Sequence, residues 1–197
     1  MRKWTGTSTA RRVYSLAVEV QTAAGFLDYW EKVRERTRRV VAVIPAEHLE
    51  WTWNSGKFTP GDIVRHLAGI ERWMYAENVS QRTSRYPGHG AELASGLEGV
   101  KAYFERLHAE AMEIFRRLTD ADLLTKCETP AGAKLAIGKW LRLMVEHEIH
   151  HRGQLYLLLS MKGVAAPPIY GLTSEEVRAR SLPLPEDVDD QLEGNAQ

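Results

Sequence analysis

Apolar residues recur at three- and four-residue steps in four separate stretches of this chain, and that repetition restricts the fold more than any other feature. The first stretch runs from about Gly25 to Ile44, with Phe26, Trp30, Val33, Val40 or Val41 and Ile44 on one stripe, and stops at Pro45. The second opens on Thr59-Pro60, an N-cap residue followed by proline at the first helical position, and continues to about Ser80 with Ile63, His66, Ile70, Trp73 and Glu77 aligned. The third, about Glu92 to Leu118, aligns Leu97, Val100, Phe104, Leu107, Ala111, Ile114 and Leu118 before Asp120 and Asp122 break it. The fourth runs from Ile137 to a stop at Gly163, with Trp140, Met144, His147, His151 and Leu158 on its stripe.

Between the third and fourth stretches, Thr129-Pro130-Ala131-Gly132-Ala133 is turn chemistry flanked by short alternating pieces, which predicts a loop or small hairpin. Four amphipathic helices with one or two longer connections predict an all-α four-helix bundle. Its core spans about residues 25–164 of a single domain covering 1–197, and residues 165–197 form an extension with a short helix starting near Thr173. The connection from Val79 to Glu92, carrying Arg82, Arg85, Tyr86 and Pro87, is long enough to act as a lid or crossover.

The 26 basic and 26 acidic residues cancel, so the chain lacks the basic footprint that phosphate binding demands and nucleic acid is not an expected partner. No run reaches the roughly 18–20 apolar residues of a membrane span, and the basic start lacks the apolar core and cleavage site of a secretory leader. Cys127 is the sole cysteine, which excludes an intrachain disulfide and any cysteine-based zinc finger and points to a reducing cytoplasm. Residues 182–197 read as a surface tail.

Chemistry concentrates in His147–Leu155, which reads HEIHHRGQL. On a helix His147 and His151 are neighbours on one face, and that face otherwise carries Trp, Met and Leu. Two imidazoles on an apolar stripe need partners for their ring nitrogens, and one divalent ion serves both at once. A third ligand from another helix is expected, and His66 is the candidate because it lies inward between Ile63 and Ile70. His150 is offset from the stripe and fits a supporting or interface role; His48, His89 and His108 read as solvent-exposed. A carboxylate near His66, with Glu71 and Glu77 as the acidic residues at hand, is expected to orient an imidazole.

The letters HEIHH also satisfy HExxH, in which Glu148 would be the general base of a zinc peptidase. A metzincin needs glycine at position 154 and histidine at 157, where this chain has Gln154 and Leu157. A gluzincin could recruit Glu175 or Glu176, but the chain shows no strand-rich half to build its substrate-binding sheet. Glu148 also points about 100° around the helix from His147, away from a shared metal.

The stretch HEIHHRGQLYLLLSMKGV, preceded by GKWLRLMVE and, upstream, TPGDIVRHLAGIERWM, resembles the DinB/YfiT-like family of metal-dependent four-helix bundles over about Phe26 to Val164. His66, His147 and His151 match the family's upstream histidine and HxxxH pair, and Arg152, Gly153 and Gln154 complete the motif. The resemblance implies a three-histidine site, open on one side, for nickel, zinc or iron. It further implies a homodimer and thiol-dependent transferase or isomerase chemistry with a small-molecule thiol, such as bacillithiol or mycothiol, and an electrophile. The alternatives are a non-catalytic metal-binding or stress-response bundle and, more remotely, the peptidase. Arg152 is expected to serve as a structural or interface residue.

Overall fold

The computed structural model describes residues 20–182; the chain start and most of the C-terminal tail considered above lie outside the described residues. Helix α1 (Ala23–Val41) begins where the Thr22 side chain accepts from Gly25 N–H at 3.0 Å, and Asp120 accepts from Ala23 N–H at 2.8 Å. Asp120 thus anchors the start of α1; it does not end the third helix, which stops at Phe115, short of the expected Leu118. The helix ends at Val41, three residues earlier than its apolar stripe, and Ile44 is delivered to the core by turns.

Helix α2 (Pro60–Ile70) starts from a capping box in which Thr59 and Asp62 exchange hydrogen bonds, with Pro60 in the first turn. It runs into a π-helical turn (Glu71–Tyr75) and then α3 (Ala76–Val79), so the second stretch is one rod interrupted by a wider turn. That turn rotates the buried face: Glu71 and Tyr75 point inward, and Trp73, expected inside, is only half-buried under the Arg72 guanidinium. The Trp73 carbonyl accepts from Arg85 N–H at 2.7 Å, which ties the following connection back onto the rod.

Helix α4 (Gly96–Phe115) is followed by a hairpin, β1 (Lys126–Glu128) paired antiparallel with β2 (Lys134–Ala136), and Gly132 at φ +77° closes its turn. Helix α5 (Ile137–Met161) leaves β2 directly and stops at Gly163, whose φ of +70° lets the Gly163 and Val164 amides reach back to Ser160 and Leu159. A short α6 (Ser174–Arg180) opens on a Thr173/Glu176 capping box and buries nothing.

Among the described residues the molecule is therefore mostly helical with one small two-stranded sheet. Helices α1 and α2 each pack against both α4 and α5. Apolar side chains form two clusters. One, at the hairpin end, gathers Phe26, Trp30, Tyr75, Phe115, Trp140 and Met144; the other gathers Val40, Ile63, Leu67, Phe104, Leu155 and Leu159. Full burial of each large side chain stabilises the fold by roughly 1.5–3 kcal/mol. Buried beside these clusters lie Arg34, Thr37, Glu71, His108, Glu148 and Arg152. No helix among the described residues is long and apolar enough to cross a membrane.

Candidate metal centre

His66 on α2 and His147 and His151 on α5 converge through their Nε2 atoms. His147 Nε2 lies 3.1 Å from His66 Nε2 and 3.1 Å from His151 Nε2, and the three nitrogens all lie within 4.8 Å of one another. Zinc–nitrogen bonds of about 2.0–2.1 Å place neighbouring ligands about 2.8–3.4 Å apart between octahedral and tetrahedral geometry, so the two 3.1 Å separations fit a shared ion. The donor set fits as well, because three inward nitrogens with no carboxylate among them have nothing but each other to bond. The residues could hold a metal ion.

The outer ring nitrogens fix this orientation. His66 Nδ1 and the Tyr86 hydroxyl are 2.6 Å apart, and His151 Nδ1 and Gln154 Oε1 are 2.7 Å apart. Nδ1–H donation to these oxygens leaves each Nε2 lone pair facing the centre. Gln154 is itself held, since its Nε2 donates to His150 Nε2 at 3.0 Å. His150 is exposed and supports the cluster through Gln154, as its offset from the stripe suggests.

Tyr86 is the residue that sequence reasoning missed. It arrives on the 79–92 connection, which lies across α2 because Gly69 leaves room: a Cβ there would stand 3.3 Å from the Tyr86 ring. Arg65, wholly buried, pins the same segment by donating to Ala94 O at 2.9 Å and His89 O at 3.3 Å. His89 is therefore no outlying surface residue. Its ring packs 4.4 Å from Phe58, centre to centre, and its Nδ1 lies 3.4 Å from the Tyr86 hydroxyl. Phe58 in turn covers His66 and His151 at 5.7 and 6.1 Å.

The expected orienting carboxylate is absent from the three histidines. Glu77 is engaged by Arg72 and Arg82. Glu71 accepts from Trp30 Nε1 at 2.7 Å and His108 Nδ1 at 2.8 Å, with Arg34 on its second oxygen. A carboxylate near His66 does orient an imidazole, but that of His108. His108 is buried rather than exposed, and its Nε2 reaches Glu31 at 2.9 Å. His48 is half-buried as the last residue of a 3-10 turn (Ala46–His48).

Burial and the neighbouring imidazoles His151 and His147 push His66 down to about 3 from its ordinary 6.5. Burial, with His151 and His150 nearby, pushes His147 down to about 4. Burial also lowers His151, against the upward pull of its bond to Gln154. All three rings are neutral at physiological pH, the form that ligates metals.

Glu148 faces away from this cluster. It is 2% exposed, stands 3.6 Å from Arg34, and burial raises its pKa against the opposing pull of Arg34. A carboxylate buried against Arg34 is poorly placed to act as the base of a zinc peptidase. Glu176 caps α6 and Glu175 is solvent-exposed. Arg152 is structural, donating to Val33 O at 3.1 Å and Thr37 Oγ1 at 3.3 Å. A cavity of about 750 Å³ beside Arg72, Arg82 and Arg117 contains none of the histidines.

Comparison with known proteins agrees with this architecture. The sequence profile of the DinB family matches residues 19–187. The chain belongs to the DinB family. An uncharacterized protein of Bacillus subtilis strain 168, YrdA, is 24% identical over 157 residues, covering 79% of this chain and 92% of YrdA. A DinB-like protein of Bacillus cereus ATCC 10987 superposes with a TM-score of 0.64 at 23% identity, covering 75% of this chain and 97% of its own. The DinB-like protein YjoA of Bacillus subtilis gives 0.62 at 17% identity, covering 76% and 99%. At these identities the two structures establish the shared fold.

Proposed function

We propose that this DinB-family chain is a four-helix bundle of one domain whose residues His66, His147 and His151 bind a divalent ion, nickel, zinc or iron, and that it works as a thiol-dependent S-transferase. The observation that carries the reading is the convergence of three Nε2 atoms with 3.1 Å separations and no carboxylate between them. A divalent ion held by three neutral ligands keeps its full charge and lowers the pKa of a thiol or water bound to it. Tyr86 and Gln154 hold two imidazoles in the ligating tautomer, and Phe58 shields the same two rings from solvent on one side. Glu148, turned into the core against Arg34, is not placed to act as a base for a bound thiol. A small-molecule thiol, an electrophile, a homodimer and a cytoplasmic setting belong to the same reading and rest on the family resemblance.

Metal analysis of tag-free protein tests the site, beside a variant with His66, His147 and His151 all replaced by alanine. Near-stoichiometric metal in the parent and none in the variant is expected; equal content in both overturns the reading. Turnover of a panel of electrophiles with several low-molecular-weight thiols tests the chemistry. A metal-loaded protein inert with every thiol supports the non-catalytic bundle instead.

A further inference from the structure

The two helices that carry the histidines open a groove immediately beyond them. α2 contributes Ile63, three residues before His66, while α5 contributes Gln154, Leu157 and Leu158, beginning three residues after His151. Three residues of helix rise about 4.5 Å, so the groove begins next to the imidazoles. The segment before α2 closes it with Trp53, Gly56, Lys57 and Phe58, giving a volume of about 420 Å³, within the range of small-molecule sites. Phe58 and Gln154 belong to both places: each lines the groove and touches the histidine cluster.

Its walls are large, apolar and open to water. Trp53 is 53% exposed and Leu157 62%. Trp53 stands on a closed turn: the Thr52 hydroxyl lies 2.8 Å from the Asn54 carbonyl and 3.1 Å from that of Lys57, and Lys57 N–H donates to Asn54 O at 3.2 Å. The charge is equally specific. Lys57 is the groove's one ionisable side chain, no acidic residue lines it, and Lys57 has no carboxylate partner among the described residues.

We infer that this groove binds a small molecule with an apolar body of about the size of an aryl or short alkyl chain and one anionic group, the body lying between Trp53, Phe58 and Leu157 and the anion meeting Lys57. As the substrate subsite of the metal centre, the groove rests on the function proposed above; its ligand preference does not.

The test compares three molecules of one shape, 4-phenylbutyrate, 4-phenylbutanol and 4-phenylbutylamine, by calorimetric titration of the full chain with its metal content measured on the same samples. The carboxylate is expected to bind at least tenfold more tightly than the alcohol, and the amine most weakly. Lys57→Gln should bring the carboxylate to the level of the alcohol, and Leu157→Asp should abolish binding of both; the two positions are exposed, and unchanged circular dichroism and melting temperature identify properly folded variants. Equal affinity for the three molecules, or a preference untouched by Lys57→Gln, overturns the inference. Protein that lacks metal but keeps the carboxylate preference upholds the groove and overturns the metal centre; metal-loaded protein that binds none of the three does the reverse.

Discussion

His108 and the three histidines of the candidate centre sit among the same helices, yet their partners are of opposite kinds. His108 has a carboxylate oxygen on each ring nitrogen, from Glu71 at 2.8 Å and Glu31 at 2.9 Å. Among the described residues no carboxylate joins His66, His147 and His151, whose Nε2 atoms face one another. The first arrangement is complete without a ligand; the second is satisfied by a cation. What surrounds an imidazole, more than its burial, decides whether it ties helices together or could take a metal ion.

Arg34 makes the structural side of this contrast plain. From α1 it contacts Glu71, in the turn that continues the helix of His66, and faces Glu148, next to His147 on α5. Arg34→Met would leave two buried carboxylates without their counter-charge, and a stability loss of about 3–5 kcal/mol is expected in urea denaturation. A loss below about 1 kcal/mol would mean that the network is not the structural element it is taken to be. His147→Ala should act the other way round. Metal affinity, measured by competition with a chromophoric chelator, should fall by at least two orders of magnitude, while the metal-free protein keeps its urea midpoint.

The stripes predicted most of this arrangement, because His147, His151 and His66 lie on faces whose other members, Met144, Leu158 and Ile63, are buried. The hairpin was legible from Thr129-Pro130 and Gly132, and the end of α5 from Gly163. The π turn was not, since nothing in the spacing from Ile63 to Glu77 marks the wider turn that leaves Trp73 half-buried and Glu71 inward. Tyr86 escaped because a loop residue has no periodicity; the available signal was Gly69, a small residue in a helix that another segment crosses. His108 lies beside Leu107 on the edge of its stripe, and its burial follows from Glu31 and Glu71, partners 77 and 37 residues distant. Local patterns carry no record of such pairs.

Smaller effects sharpen the contrast at the outer nitrogens. Tyr86→Phe and Gln154→Leu each remove the oxygen that fixes one ligand tautomer, and each should weaken metal binding by about 10–100-fold with little change in fold. Full affinity in both variants would show that the hydrogen bonds are incidental.

The smallest effect is in pH. With folded values of about 3 for His66 and 4 for His147, against 6.5 in the unfolded chain, the unfolded state binds more protons below pH 6.5. Metal-free protein should therefore lose stability as pH falls from about 6.5 towards 4, and the triple-alanine variant should lose less over the same window. Glu31, held at about 2 by Arg38 and His108 despite the opposing effect of burial, contributes stability that is lost only at lower pH, between about 4.5 and 2. Identical slopes for the two proteins between pH 6.5 and 4 would contradict the assignment of neutral, buried imidazoles.

The central claim is that three imidazoles bind one ion. X-ray absorption at the metal edge of tag-free protein tests it directly. Three imidazole nitrogens around the ion are expected, at about 2.0–2.1 Å if it is zinc, with loss of this pattern in His147→Ala. A first shell of sulfur or carboxylate oxygen, or one that His147→Ala leaves unchanged, would contradict it.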